Sequence, residues 1–151
     1  MTLLLFEAAG TRYGLDIRQV VEVIPAIALR LVAHAPVWLG GVFQHRGEVT
    51  PVVDASTLLT GTPVQERFST RIVVAKYADA DGTDRRVGLL VESATDTFTT
   101  DEASLQAAGV TVPDARYLGR VIRVGFTLVQ IIRVEEILPD SVRALLTADD
   151  V

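Results

Sequence analysis

The feature that most constrains this fold is a two-part internal repeat of short, strand-like segments. Arg12-Tyr13-Gly14-Leu15-Asp16-Ile17 is matched 74 positions on by Arg86-Val87-Gly88-Leu89-Leu90-Val91. Val49 to Leu59 is matched 79 positions on by Leu128 to Leu138. Each of the second pair is a β-rich run, then one charged residue (Asp54, Arg133), then a closing apolar pair (Leu58-Leu59, Ile137-Leu138). Amphipathic strand pairs resemble one another by alternation alone, so either match by itself is weak. The two occur in the same order, however, and their offsets differ by only five positions, as a change in one loop length would produce. Half of a 151-residue chain buries too little surface to stand alone, so two copies are expected to pack as one body. Closing each copy into a barrel would remove its exposed sheet edges.

Turn signals divide the rest into short strands. Leu3 to Ala8 and Tyr13 to Ile17 flank Ala9-Gly10-Thr11. Val20 to Ile24 stops at Pro25, and Gly41 to Phe43 and Val49 to Val53 flank a turn at Arg46-Gly47-Glu48. Ile72 to Tyr77 and Val87 to Val91 flank a polar tip containing Asp81-Gly82, a strong hairpin signal because both residues tolerate positive φ. Val121 to Val124 and Leu128 to Ile132 turn near Gly125. Helices are few and short: one turn from Ala55 to Leu59 capped by Asp54, one over Asp101 to Ala108 closed by Gly109, and one running to Leu146. Gly109 to Asp114 reads as a loop. The fold class is therefore all-β, a single domain over residues 1–151 made of two related barrel units, with strands open to exchange between them.

Composition excludes several functions. Fourteen basic against nineteen acidic residues leave a net charge of −5, so the counterion release that drives general nucleic-acid binding has no source. The absence of cysteine removes disulfides, thiolate metal sites and thiol catalysis and fits a reducing cytoplasm. The opening Met1 to Glu7 is apolar but short and lacks a basic leading region, so a buried strand is expected rather than a signal peptide. No run approaches the ~20 apolar residues that span a bilayer, so direct membrane insertion is not expected.

Motifs for chemistry fail one by one. His34 and His45 have no zinc-type spacing and no cysteine to complete a site. Asp54-Ala55-Ser56-Thr57 lacks the glycine an aspartic-protease loop requires, and Arg133 stands where a second aspartate would be; Asp54 is better read as a helix cap. Asp79 to Asp84 alternates oxygen ligands, but Leu90 occupies the position of a calcium loop's bidentate glutamate. No glycine-rich phosphate loop follows a strand. The reading is of a non-enzymatic domain with no cofactor and no metal.

Three segments then resemble the signatures of CheW domains, in register over nearly the whole chain: Tyr13 to Ile24, Gly41 to Asp54 with its Gly-Val, Arg-Gly and Pro-Val-Val-Asp series, and Gly88-Leu89-Leu90-Val91-Glu92. The resemblance implies two five-stranded SH3-like barrels sharing a hydrophobic seam. It implies a cytoplasmic scaffold, associated with receptor arrays, joining the regulatory domain of a CheA-type histidine kinase to the hairpin tips of chemoreceptors, with barrel ends docking pseudo-symmetrically. It places Arg46 at the receptor interface, with Val20 and Glu22 on the neighbouring strand contributing to the same face. In that picture Val20 supplies an apolar floor and Arg46 a fork of donors for a carboxylate or helix C-terminus. Gly47, Asp54, Asp81 and Gly82 are turn and cap residues.

Gln44 stands where the family usually has asparagine, and Ala55-Ser56 replaces a common Leu-Arg. Val112 to Gly119 and Ala35 to Leu39 are similar to the WspB branch, whose surface-sensing pathway ends in a diguanylate cyclase. Two other readings stay open from the residues: a small-molecule or nucleotide-binding regulatory module with a pocket between the barrels, and a hydrolase with a scattered site.

Overall fold

The computed structural model describes residues 1–79, 81–101, 103, 106–107 and 120–146. In chain order the strands are β1 (Thr2–Ala8), β2 (Thr11–Asp16), β3 (Val20–Pro25), β4 (Leu39–His45), β5 (Glu48–Asp54), β6 (Arg71–Ala78), β7 (Asp84–Val91), β8 (Ser93–Thr99), β9 (Gln106–Ala107), β10 (Arg120–Val124) and β11 (Thr127–Ile132). The helices are α1 (Ala55–Thr60), α2 (Val134–Ile137) and α3 (Asp140–Leu146), and a 3-10 turn spans Ile17–Gln19. They form a six-stranded sheet, β8-β1-β2-β11-β10-β9, and a five-stranded sheet, β3-β6-β7-β5-β4. The first sheet therefore draws strands from both ends of the chain, and the second takes the middle. Among the described residues no helix is long and apolar enough to cross a membrane.

The strands that read as continuous apolar runs are buried on both faces, as strands covered on two sides must be. In β1, Leu3 and Leu5 point into the first barrel with Ile122 and Val129, while Leu4, Phe6 and Ala8 point into a central core. In β6, Ile72 and Val74 point into the second barrel with Val52, while Val73, Ala75 and Tyr77 join the central core. Leu15, Val53, Leu89 and Ile132 complete that shared core between the sheets. Each strand thus feeds two cores by simple alternation.

The sequence repeat reappears as a repeat of register. Ile131 lies opposite Gly14 and Ile132 opposite Leu15 in the parallel β11–β2 pair. Val52 lies opposite Gly88 and Val53 opposite Leu89 in the parallel β5–β7 pair. These are the residues related by the 74- and 79-position offsets. The fold class is as the sequence indicates: mostly β, in two barrel-like sheets with few short helices.

Local chemistry sets the turns. Ala9-Gly10 and Arg46-Gly47 have positive φ at both residues (50° and 76°, 50° and 85°), the type I′ geometry that matches strand twist. Asp54 caps α1: one carboxylate oxygen accepts from Thr57 N at 3.1 Å and the other from Val64 N at 3.0 Å. Asp81 accepts from Thr83 N at 2.9 Å, and Gly82 (φ 82°) completes the β6–β7 turn.

The expected helix over Asp101 to Ala108 is corrected in part. Gln106–Ala107 is a strand paired with Arg120 and Val121. Backbone hydrogen bonds offered by the edge of β10 outweigh local helix preference there, as tertiary context often does. The Gly109 to Asp114 loop and the Val112 to Gly119 segment lie outside the described residues.

The chain crosses between sheets at the 3-10 turn, where Gln19 acts as a tie. Its amide nitrogen donates to Glu135 at 2.9 and 3.0 Å, and its amide oxygen accepts from Val134 N at 3.1 Å. Glu135 also accepts from Ala78 N at 3.4 Å. One side chain thereby joins the turn, α2 and the end of β6.

Candidate functional site

One end of the second barrel gathers most of the residues of interest. Its sheet closes incompletely: β3 and β4 are the two edges. A β-bulge in β3 decides which side chains face that gap. Val20 lies opposite Ala75 and Glu22 opposite Val74, leaving Val21 as the extra residue. Ala75 belongs to the central core and Val74 to the barrel interior. Residues directly opposite share a face, so Val20 and Glu22 point to opposite sides of the sheet. On an unbulged strand, residues two apart would share one.

Glu22 therefore reaches across the barrel mouth to β4. Its Oε2 lies 2.8 Å from His45 Nε2 and 3.4 Å from Arg46 Nη2. His45 is only 6% exposed and stands beside the Phe43 ring at 5.9 Å. With Glu22 ionised, Nε2 carries the proton and donates. The hydrogen bond with His45 holds the Glu22 carboxyl below its ordinary range, and the Arg46 charge adds to this. His45 Nδ1 is buried without a partner among the described residues. Arg46 sits at the turn, its side chain 60% exposed, with that long contact to Glu22 as its ion pair.

Next to this cluster runs a groove of about 640 Å³. Val20, Val21, Val49 and Leu146 give it apolar lining, and Glu48, Lys76, Asp84, Arg85 and Arg86 give it charge. Val49 is 73% exposed, so an aliphatic side chain here faces water in the free protein. Arg85 donates to Asp79 at 2.9 Å. Arg86 lies 3.9 Å from Glu48.

Of the residues singled out in the sequence, the structure brings Glu22 and Arg46 into contact, with Gly47 in the same turn. Val20 lines the adjoining groove from the other face of β3. Asp54, Asp81 and Gly82 serve turns and caps and lie outside the groove's lining. Sequence reasoning missed His45, weighed there only as a zinc ligand, and Lys76 and Arg86. The signal for His45 was available in alternation: Phe43 and His45 share a strand face, and that face is apolar. Nothing along the chain points to Lys76 and Arg86 as partners, because strand pairing alone makes them neighbours.

Among the described residues no group of histidine and acidic side chains could hold a metal ion. The one histidine in the site is buried and bonded to a carboxylate that is itself bridged to an arginine.

Comparison with known proteins agrees with this architecture. The chain is 27% identical over 106 residues to the chemotaxis protein CheW of Bacillus subtilis (strain 168), a match covering 70% of this chain and 65% of that protein's length. Its structure is similar to that of the scaffolding protein TtCheW from Thermoanaerobacter tengcongensis, with a TM-score of 0.79 at 22% identity, over 93% of this chain and 89% of the other. At that identity the likeness is one of fold. The family model described as the CheW-like domain matches residues 2–142, and the chain belongs to the CheW-like domain family.

Proposed function

We propose that this protein is a non-catalytic cytoplasmic scaffold that couples the hairpin tips of chemoreceptors to the regulatory domain of a CheA-type histidine kinase. The observation that carries the reading is the end of the second barrel: an apolar-lined groove beside an exposed arginine whose one ion pair among the described residues is a long contact to Glu22. A receptor tip is a helical hairpin, and an amphipathic helix docks by laying its apolar stripe into such a groove while its flanking charges meet the lip. The names of the two relatives, one a chemotaxis protein and one a scaffolding protein, support it.

A scaffold needs two binding ends, and the register repeat supplies a second candidate. Leu128 is the counterpart of Val49, and both are exposed, at 65% and 73%. Each stands opposite a polar residue at the same hairpin position: Arg123 opposite Leu128, Gln44 opposite Val49. Equivalent apolar studs on two hairpins fit partners that share the fold. Coupling would then arise from differential binding, because an adaptor passes on a receptor state only if that state changes the kinase arrangement it favours. The similarity to the WspB branch points to a surface-sensing pathway, and a neighbouring gene for a diguanylate-cyclase response regulator would support that assignment.

The test is an assembly assay with receptor-tip fragment and kinase. Arg46→Glu puts a second carboxylate beside Glu22 and reverses the charge offered to the receptor. Co-sedimentation with the receptor is expected to fall about tenfold or more while the fold, followed by circular dichroism, is retained. Unchanged co-sedimentation removes Arg46 from the interface. The competing idea of a ligand pocket between the barrels has less support, since Phe6, Leu15, Val53, Leu89 and Ile132 fill the seam.

A further inference from the structure

We infer that Lys76 and Arg86 form a carboxylate-holding pair that reads an acidic residue on the receptor helix seated in this groove, an inference that rests on the receptor-binding reading above. The observation is one of register: Lys76 lies directly opposite Arg86 in the β6–β7 pair. Directly opposed like charges work against sheet pairing. Neither cation is well neutralised by the fold. Lys76 is exposed and has no ion-pair partner among the described residues. The carboxylate nearest Arg86 is that of Glu48, at 3.9 Å, beyond hydrogen-bond length, on a side chain 69% exposed.

The other charges of the groove do not cancel the pair. Arg85 is engaged by Asp79. Asp84 lies two positions further towards the hairpin tip, opposite Ala78. Cross-strand neighbours place their side chains on one face with Cβ atoms ~5 Å apart. That spacing lets one incoming carboxylate accept from a guanidinium fork and an ammonium together. Of the groove's apolar residues, Val21 packs on the same face of the sheet as the pair and suits a helix residue one turn away from that acid, while Val20 and Leu146 line the groove from the central-core face. Glu48 is the internal carboxylate that the partner's would displace. The occupant this chemistry fits is an amphipathic helix with an acidic residue bordering its apolar stripe.

A pair kept for binding has a signature that a structural pair lacks: removing one charge relieves the fold and harms recognition. Lys76→Gln, Arg86→Gln and the double variant would be compared in the full-length protein, by calorimetric titration with a receptor-tip fragment and by thermal melting. Each single variant is expected to bind about three- to tenfold more weakly. The double variant should bind more weakly again, with a flatter salt dependence, and the melting temperature should be unchanged or raised. Lys76→Glu should regain binding to a fragment whose groove-facing glutamate is replaced by lysine.

If the double variant binds within twofold of the parent while Arg46→Glu abolishes binding, the pair is not a recognition element and the receptor reading stands. If Arg46→Glu also binds normally, both fall. A lowered melting temperature in the single variants would make the pair structural and overturn the proposal. So would a melting-temperature rise with ATP or inorganic phosphate that the double variant loses, because the pair would then be a phosphate site.

Discussion

The two glycines related by the repeat offer a sharp test of how the barrels are packed. A Cβ on Gly88 would sit 2.9 Å from Ile72 Cγ2 and 2.9 Å from Val52 Cγ2, both residues fully buried. Both obstructing methyls belong to β-branched side chains with restricted χ1, so neither can swing aside. Overpacking of this kind costs about 1–3 kcal/mol. Restricting the unfolded chain by replacing glycine returns about 0.4–1 kcal/mol, since neither glycine has positive φ. Gly88→Ala is therefore expected to destabilise by about 1–2 kcal/mol. At Gly14 the new methyl would meet Leu3 Cδ1 at 3.1 Å and Val129 Cγ1 at 3.3 Å. Those gaps are wider, and Leu3 Cδ1 is the end of a longer side chain that can adjust. Gly14→Ala should cost about 0–1 kcal/mol.

For a chain of this size the difference corresponds to a melting temperature ~2–8 °C lower for Gly88→Ala and at most ~4 °C lower for Gly14→Ala. Urea unfolding followed by fluorescence suits the measurement, because Trp38 is the single tryptophan and packs against the central core. A Gly14→Ala variant as unstable as Gly88→Ala, or a neutral Gly88→Ala, would refute the packing argument.

Two further outcomes follow from the ties between elements. Gln19→Ala leaves the amide of fully buried Val134 without its acceptor and should cost about 1–3 kcal/mol in urea unfolding; a cost below ~0.5 kcal/mol would show that water replaces the tie. Glu22 has a folded-state pKa below its unfolded value of 4.5, so its stabilisation is present above that pH and is lost as pH falls through the lower, folded value. The stability gap between the parent and Glu22→Gln, measured by urea unfolding from pH 7 downward, should hold until about pH 4.5 and then close; a gap that widens in acid would contradict the Glu22–His45 bond.

Much of the fold was legible because the relevant rules are local. A type I′ turn needs two adjacent residues that tolerate positive φ, as at Arg46-Gly47. A helix cap needs one carboxylate three residues ahead of an amide, as Asp54 has for Thr57. The site was less legible. Arg46 and Glu22 were reached through family likeness, whereas His45 and the Lys76–Arg86 pair were not reached at all. His45 is a polar residue buried beside Phe43, and its spacing from His34 carries no information about that environment.

The sequence by itself determined the strand segments, their turns, the doubling of one β-unit and the equivalence of Gly14 with Gly88, since each depends on residues close together or on a pattern repeated along the chain. Only the tertiary structure decided which strands pair, so that β2 joins β11 and β7 joins β5. It alone set the bulge at Val21 that turns Val20 and Glu22 to opposite faces, and it alone brought Lys76 opposite Arg86. Register is chosen by burying three apolar clusters at once, and a shift of one residue reverses every side chain on a strand. The groove is a product of that choice, assembled from β3, β5, β6, β7 and α3 only after their shared core has closed.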